Sequence, residues 1–66
     1  MAKNLKMKIA RTAMELTQKD LADAVGVSRQ TINAIEKGDY SPSITLCIKV
    51  AKVLNKTLDE LFWEED

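Results

Sequence analysis

Apolar residues recur at helical spacing along almost the whole chain, and few strand-favouring residues alternate with polar ones. Asn4 can cap a first helix of about residues 5–15. Two adjacent apolar stripes run along it: Leu5, Ile9 and Ala13 on one, Met7, Ala10 and Met14 on the other. Thr17 with Asp20 three positions on reads as a capping box, opening a short second helix that stops at Gly26. Ser28 caps a third helix ending near Lys37 and Gly38, where glycine can take the left-handed conformation at the exit. Asp39-Tyr40-Ser41-Pro42 is a turn, because Pro42 restricts Ser41 and cannot extend a running helix. Ser43 caps a fourth helix to about Leu54. Thr57 and Glu60 form a second capping box for a short fifth helix ending around Phe62. The fold class predicted is all-α, with five helices.

At 66 residues the chain is one small domain spanning 1–66, well below the ~150 residues that serve as a prior for a single domain. A domain of this size buries only about 60% of the surface its unfolded chain exposes, so self-association is a reasonable way to gain core. No apolar run approaches the ~18 residues of a membrane span. Lys3, Lys6, Lys8 and Arg11 interrupt any signal-peptide core near the start. A single cysteine, Cys47, cannot close an internal disulfide and points to a reducing cytoplasm. With no histidine and one cysteine, the usual zinc sites cannot be assembled in one chain, and two glycines cannot build a phosphate-cradling loop. No cofactor, metal or small-molecule ligand is therefore expected. Without an activated nucleophile or a paired-carboxylate cleft, neither is an enzyme.

The formal charge of zero conceals a division. All ten Lys and Arg lie in residues 1–58 with five acids, a net +5, whereas the last eight residues hold the other five acids and no base. A basic body can meet a polyanion provided the acidic tail, residues 64–66, points away.

Residues 18–37 carry the most information. Leu21, Ala22 and Val25 point inward from one helix, and Ile32 and Ile35 from the next, with Val25-Gly26-Val27-Ser28 between them. Two helices joined by so short a turn cross steeply and pack closely. Ala22 allows the close approach, Gly26 tolerates a positive φ, and Val27 fills the space under the corner. Together these make a helix-turn-helix. The stretch Thr17-Gln18-Lys19-Asp20-Leu21-Ala22, then Val25 to Ile32, then Ile35-Glu36-Lys37-Gly38 resembles the Cro/lambda-repressor-type family of transcriptional regulators, also called the xenobiotic-response-element family. Pro42-Ser43-Ile44 and Leu54 to Phe62 resemble its fourth and fifth helices, so the likeness covers about residues 5–63. It implies a lambda-repressor-like DNA-binding domain in a short stand-alone protein. It also implies a homodimer that binds inverted-repeat operators in double-stranded DNA, often as a repressor.

Ile32 and Ile35 leave the rest of the third helix facing outward, where its side chains suit base edges. Arg29 can fork to a guanine, Gln30 or Asn33 can pair bidentately with an adenine, and the Thr31 methyl suits a thymine. Matched to the family, Ser28, Arg29, Gln30, Thr31 and Asn33 are the base-reading candidates. Phosphate contact falls to Thr17, Gln18 and Lys19 at the opening of the second helix, where free amides favour an anion. Lys37, the backbone around Gly38, and Tyr40 suit the opposite wall of the groove. The resemblance further implies that Gln18 braces the third helix, and that Arg11 and Glu36 form a structural ion pair.

Asn55, Leu58, Leu61, Phe62 and Trp63 are the candidate dimer contacts, since aromatics gather at interfaces and family dimers use this region. Leu46, Ile48 and Val53 add apolar surface outside the main stripe of the fourth helix. Cys47 belongs to that stripe with Ile44, Val50, Ala51 and Leu54, and reads as a small core hydrophobe. Met7 and Met14 read as core fillers. Lys19, Lys49, Lys52 and Lys56 read as a solvated face, Lys19 alone of them near enough to reach phosphate, although the family commonly has an apolar residue at the last position. The competing reading is an antitoxin-like or adaptor module that uses the same fold to mask a protein partner. In that case the Arg29, Gln30 and Asn33 face is dispensable and the Phe62–Trp63 end carries the function.

Overall fold

A computed structural model describes residues 3–63. Within them the chain forms α1 (Leu5–Ala13), α2 (Gln18–Val25), α3 (Arg29–Lys37), α4 (Ile44–Leu54) and α5 (Leu58–Phe62), with no strand among the described residues. Each helix begins where a side chain can accept an orphan amide. Asn4 accepts from Met7, Thr17 from Asp20, Ser28 from Thr31, Ser43 from Leu46 and Thr57 from Glu60. Both capping boxes close, the Asp20 and Glu60 carboxylates each accepting the cap residue's own amide at 2.9 Å. Those amide bonds, from Thr17 and Thr57, hold both carboxyls below their ordinary pKa. Three exits are left-handed: Gly26 at φ +79°, Gly38 at φ +84° and Asn55 at φ +55°.

The core forms where the five helices meet, with Met7, Leu21, Ile32, Ile35, Val50, Leu54 and Leu61 fully buried. Ala10, Ala22, Val25, Leu46 and Ala51 fill between them, and Leu16, Val27, Val53, Leu58 and Phe62 lean on the outside. Cys47 is buried, and burial raises its thiol pKa, which keeps it protonated and inert at neutral pH.

Several positions differ from the sequence expectation. The first helix ends at Ala13, two residues early, because Glu15 turns left-handed at φ +60° and the Leu16 amide bonds back to the Arg11 carbonyl. Met14 caps that end and stands 46% exposed, so it is not a core filler. Of the two α1 stripes, Met7 and Ala10 face the core while Leu5 and Ile9 face out, because burying Arg11 beside Glu36 fixes the rotation of the helix. Ile44, assigned to the main α4 stripe, is 65% exposed, and Leu46, assigned outside it, is buried. Leu61 lies wholly within the chain's own core, so its side chain is not on the surface offered to a partner.

Candidate nucleic-acid interface

α2 and α3 are joined by Gly26-Val27-Ser28. The Ala22 carbonyl accepts from both the Gly26 amide at 2.9 Å and the Val27 amide at 3.0 Å, which folds the chain sharply back. Ala22, almost fully buried, leaves room for the backbone of the second helix to approach. Val27 packs half-buried against the core. α3 then buries Ile32, Ile35 and Glu36 and turns its amino-terminal end outward.

The sequence-predicted base readers are brought together there but are not equivalent. Arg29 and Gln30 are exposed, while Thr31 and Asn33 are half-buried. Ser28 is occupied by its own helix: its hydroxyl accepts the Thr31 amide at 3.2 Å and lies 3.0 Å from the Thr31 hydroxyl. Asn33 is engaged from within. Gln18 Nε2 donates to Asn33 Oδ1 at 3.2 Å and to Glu36 Oε1 at 3.0 Å. Arg29 Nη1 approaches Gln18 Oε1 at 3.5 Å, a marginal contact.

Behind this face sits a buried ion pair. Arg11 Nε donates to Glu36 Oε2 at 2.8 Å and Nη2 to Oε1 at 3.2 Å, a fork with only 7% and 6% of the two residues exposed. Arg11 Nη1 donates to the Leu16 carbonyl at 2.7 Å, and the Asn4 amide donates to the Glu36 carbonyl at 3.0 Å. One polar network therefore ties α1, the α1–α2 corner, α2 and α3 together behind the outer face. Among the described residues no buried side-chain nitrogen or oxygen is left without a partner.

The candidate phosphate contacts divide as well. Gln18 and Lys19 head α2 ahead of its first intrahelical bond, from the Leu21 amide to the Thr17 carbonyl, so their amides point out of the helix end. Thr17 spends its amide on Asp20 and keeps a hydroxyl hydrogen. Lys19 pairs with Asp23 at 2.8 Å, both exposed, and hydrogen bonding to Asp23 raises the Lys19 pKa. Lys37 and Tyr40 are exposed at the far end of α3. Gly38 is a correction: it is buried, and its amide donates to the Ala34 and Ile35 carbonyls while that of Asp39 donates to Ala34. Both amides cap α3 and are turned away from a phosphate.

At the other end of the molecule, Trp63 is 65% exposed and Asn55 is exposed, while Leu58 and Phe62 are half-buried against the core. Lys6 Nζ donates to the Trp63 carbonyl at 3.0 Å, tying the end of α5 to α1. The tail at 64–66 lies outside the described residues. Among the described residues no group of acids, Cys47 included, could hold a metal ion, and no helix is long and apolar enough to cross a membrane.

Sequence reasoning missed the inward engagement of Asn33. Helical spacing contained the signal, because Asn33 lies four positions after Arg29 and three before Glu36, between the outer face and the buried acid. The Leu16 carbonyl, held by Arg11, had no signal in the sequence.

The helix-turn-helix family pattern matches residues 7–61. An uncharacterized HTH-type transcriptional regulator of Methanocaldococcus jannaschii is 51% identical over 61 residues, covering 92% of each chain. The uncharacterized HTH-type transcriptional regulator YgzD of Bacillus subtilis is 43% identical over the same length and coverage. The crystal structure of the restriction-modification controller protein C.AhdI from Aeromonas hydrophila superposes with a TM-score of 0.80 at 32% identity, covering 86% of each chain.

Proposed function

The chain belongs to the Cro/C1-type helix-turn-helix family of transcriptional regulators, and we propose that it binds double-stranded DNA of defined sequence as a homodimer, with α3 in the major groove. The observation that carries this reading is the division of α3. Its buried face is made of Ile32, Ile35 and Glu36, while Arg29 and Gln30 stand exposed at the amino-terminal end with Thr31 and Asn33 half-buried beside them. A nine-residue helix is about 13 Å long, matched to a major groove about 12 Å wide. Phosphates on one wall meet the α2 amino end at Thr17, Gln18 and Lys19; those on the other meet Lys37 and Tyr40.

One recognition helix per chain reads one half-site, so an inverted-repeat operator takes two copies. The exposed Trp63, with Asn55 and the outer edges of Leu58 and Phe62, offers the surface between them. A bound dimer in the cytoplasm represses by covering DNA that polymerase needs.

Footprinting on the DNA flanking its own gene tests the reading. A symmetric footprint appears with the parent protein and is lost in Arg29→Ala, whose guanine contact is worth about 1–3 kcal/mol of discrimination. Phe62→Ala keeps the footprint only at raised protein concentration, and transcription from the covered promoter falls as protein is added. A footprint indifferent to Arg29 removes α3 from the reading; with no footprint at all, the partner sought is a protein docking at the Phe62–Trp63 end.

A further inference from the structure

We propose that the buried Arg11–Glu36 pair, acting through Gln18, sets which way round the Asn33 amide faces DNA, so that Asn33 favours guanine or thymine over adenine. The inference rests on α3 reading bases, as proposed above, and adds the rule by which one of its residues chooses.

Glu36, forked by Arg11, is a carboxylate that only accepts hydrogen bonds. Gln18 lies 3.0 Å from its Oε1, so Gln18 must turn its amino group toward the acid. Turned around, the amide would set carbonyl oxygen against carboxylate oxygen in a site sheltered from water. The Gln18 amino group has two hydrogens. One goes to Glu36, and the other meets Asn33 at 3.2 Å, where it needs an acceptor. Asn33 therefore presents Oδ1 inward. Reversed, it would set one amino group against another. What remains for the groove is the Asn33 Nδ2 amino group, a pure donor.

Base edges distinguish this arrangement from a free asparagine. A bidentate pair with adenine requires the asparagine oxygen to accept from N6 while its nitrogen donates to N7. With Oδ1 committed inward, the amino group can still donate to adenine N7, but nothing accepts from N6 and the two amino groups crowd each other, so the bidentate pair is lost. Guanine, with N7 and O6 both accepting, and thymine, with O4, are complementary. Gln30 is exposed and makes no such inward bond among the described contacts, so it remains the residue able to take adenine. Gln18 and Glu36 are then positioning residues, neither needing to touch the base they help to select.

Selection of bound sites from a random duplex library, run on the full chain, provides the test. Asn33→Ala marks the operator position that Asn33 reads. At that position the parent prefers guanine or thymine over adenine by about tenfold, the scale of one good base contact. In Gln18→Ala the Asn33 amide turns freely. Adenine then rises toward parity at that position, while preferences elsewhere in the site stay in rank order, whatever uniform loss of affinity follows from a missing phosphate contact. Asn33→Asp, which keeps the shape but has no hydrogen to donate, loses the guanine or thymine preference. The inference is overturned by a parent preference for adenine there, by a Gln18→Ala profile unchanged at that position, or by an Asn33→Ala profile unchanged everywhere. In those cases the parent's selected motif leaves the DNA-binding reading standing. A parent that selects no motif overturns both.

Discussion

Arg11 donates three hydrogen bonds, two to Glu36 and one to the Leu16 carbonyl, at a site from which water is nearly excluded. Such a pair adds little net stability, because desolvating two charges offsets most of their attraction; removing one partner strands the other at a cost of about 3–5 kcal/mol. A domain of 66 residues holds only about 3–10 kcal/mol in total. Arg11→Ala is therefore expected to lose from about a third to all of that stability. Arg11→Met combined with Glu36→Leu should be markedly more stable than either single replacement, because no charge is then stranded. Urea denaturation of Arg11→Met, Glu36→Leu and their combination measures this, and purely additive losses would show that the pair is not coupled. A folded double variant should also read DNA poorly at the Asn33 position, since nothing then orients Gln18.

The corner between α2 and α3 separates backbone cost from steric cost. Gly26 sits at φ +79°, yet a Cβ placed on it meets no atom within 4 Å. Gly26→Ala should therefore cost about 1–2 kcal/mol, the left-handed backbone penalty alone, and Gly26→Asn less, because its short polar side chain bonds locally in that region. Denaturant midpoints check this, and a loss above about 3 kcal/mol would indicate crowding, as in overpacked interiors. That glycine was legible from the sequence, as were all five helix starts, because caps and left-handed exits are local chemistry carried by single side chains. The end of α1 was not legible. Glu15 is an unusual residue for φ +60°, and the turn is closed by the Leu16 amide on the Arg11 carbonyl and braced by the Arg11 side chain, which bonds both the Leu16 carbonyl and Glu36. The choice between the Leu5–Ile9 and Met7–Ala10 stripes has the same origin, since both are apolar and only the buried pair decides. On α4, helical period alone placed Ile44 inward and Leu46 outward, the reverse of the packing against α2 and α5. At the candidate site, residue types and their gathering were legible; the inward tie of Asn33 to Gln18 was not, because it depends on the distance between two helices.

Charge and size set how the whole molecule meets DNA. The described residues extend 31 × 22 × 20 Å, so with α3 reading bases as proposed, one copy does not span two half-sites about 34 Å apart, and the proposed operator takes two. The net +5 through residue 58 suggests a strongly salt-dependent binder, but several of the bases lie away from the candidate phosphate contacts. Arg29 lies at the base-reading end, Arg11 is buried, and Lys6 and Lys56 border the groove between α1 and α5. Only Lys19 and Lys37 accompany the candidate phosphate contacts. Lys19 can leave Asp23 cheaply, exposed pairs being worth about 0–1 kcal/mol. Two cations from each of two copies neutralise about four phosphates, which gives a slope of about −3.6 in log affinity against log salt. Lys37→Ala should reduce that slope by about 1.8, one contact per copy, and weaken all sequences alike. Binding titrations on a selected site across a salt series measure both values. A parent slope steeper than about −6 would mean that α1 or α4 lysines also lie on DNA and that the docking face is wider than the helix-turn-helix. A slope near −3.6 that is unmoved by Lys37→Ala would mean that another lysine supplies the charge on that wall, because a hydroxyl contact such as that of Tyr40 neutralises no phosphate.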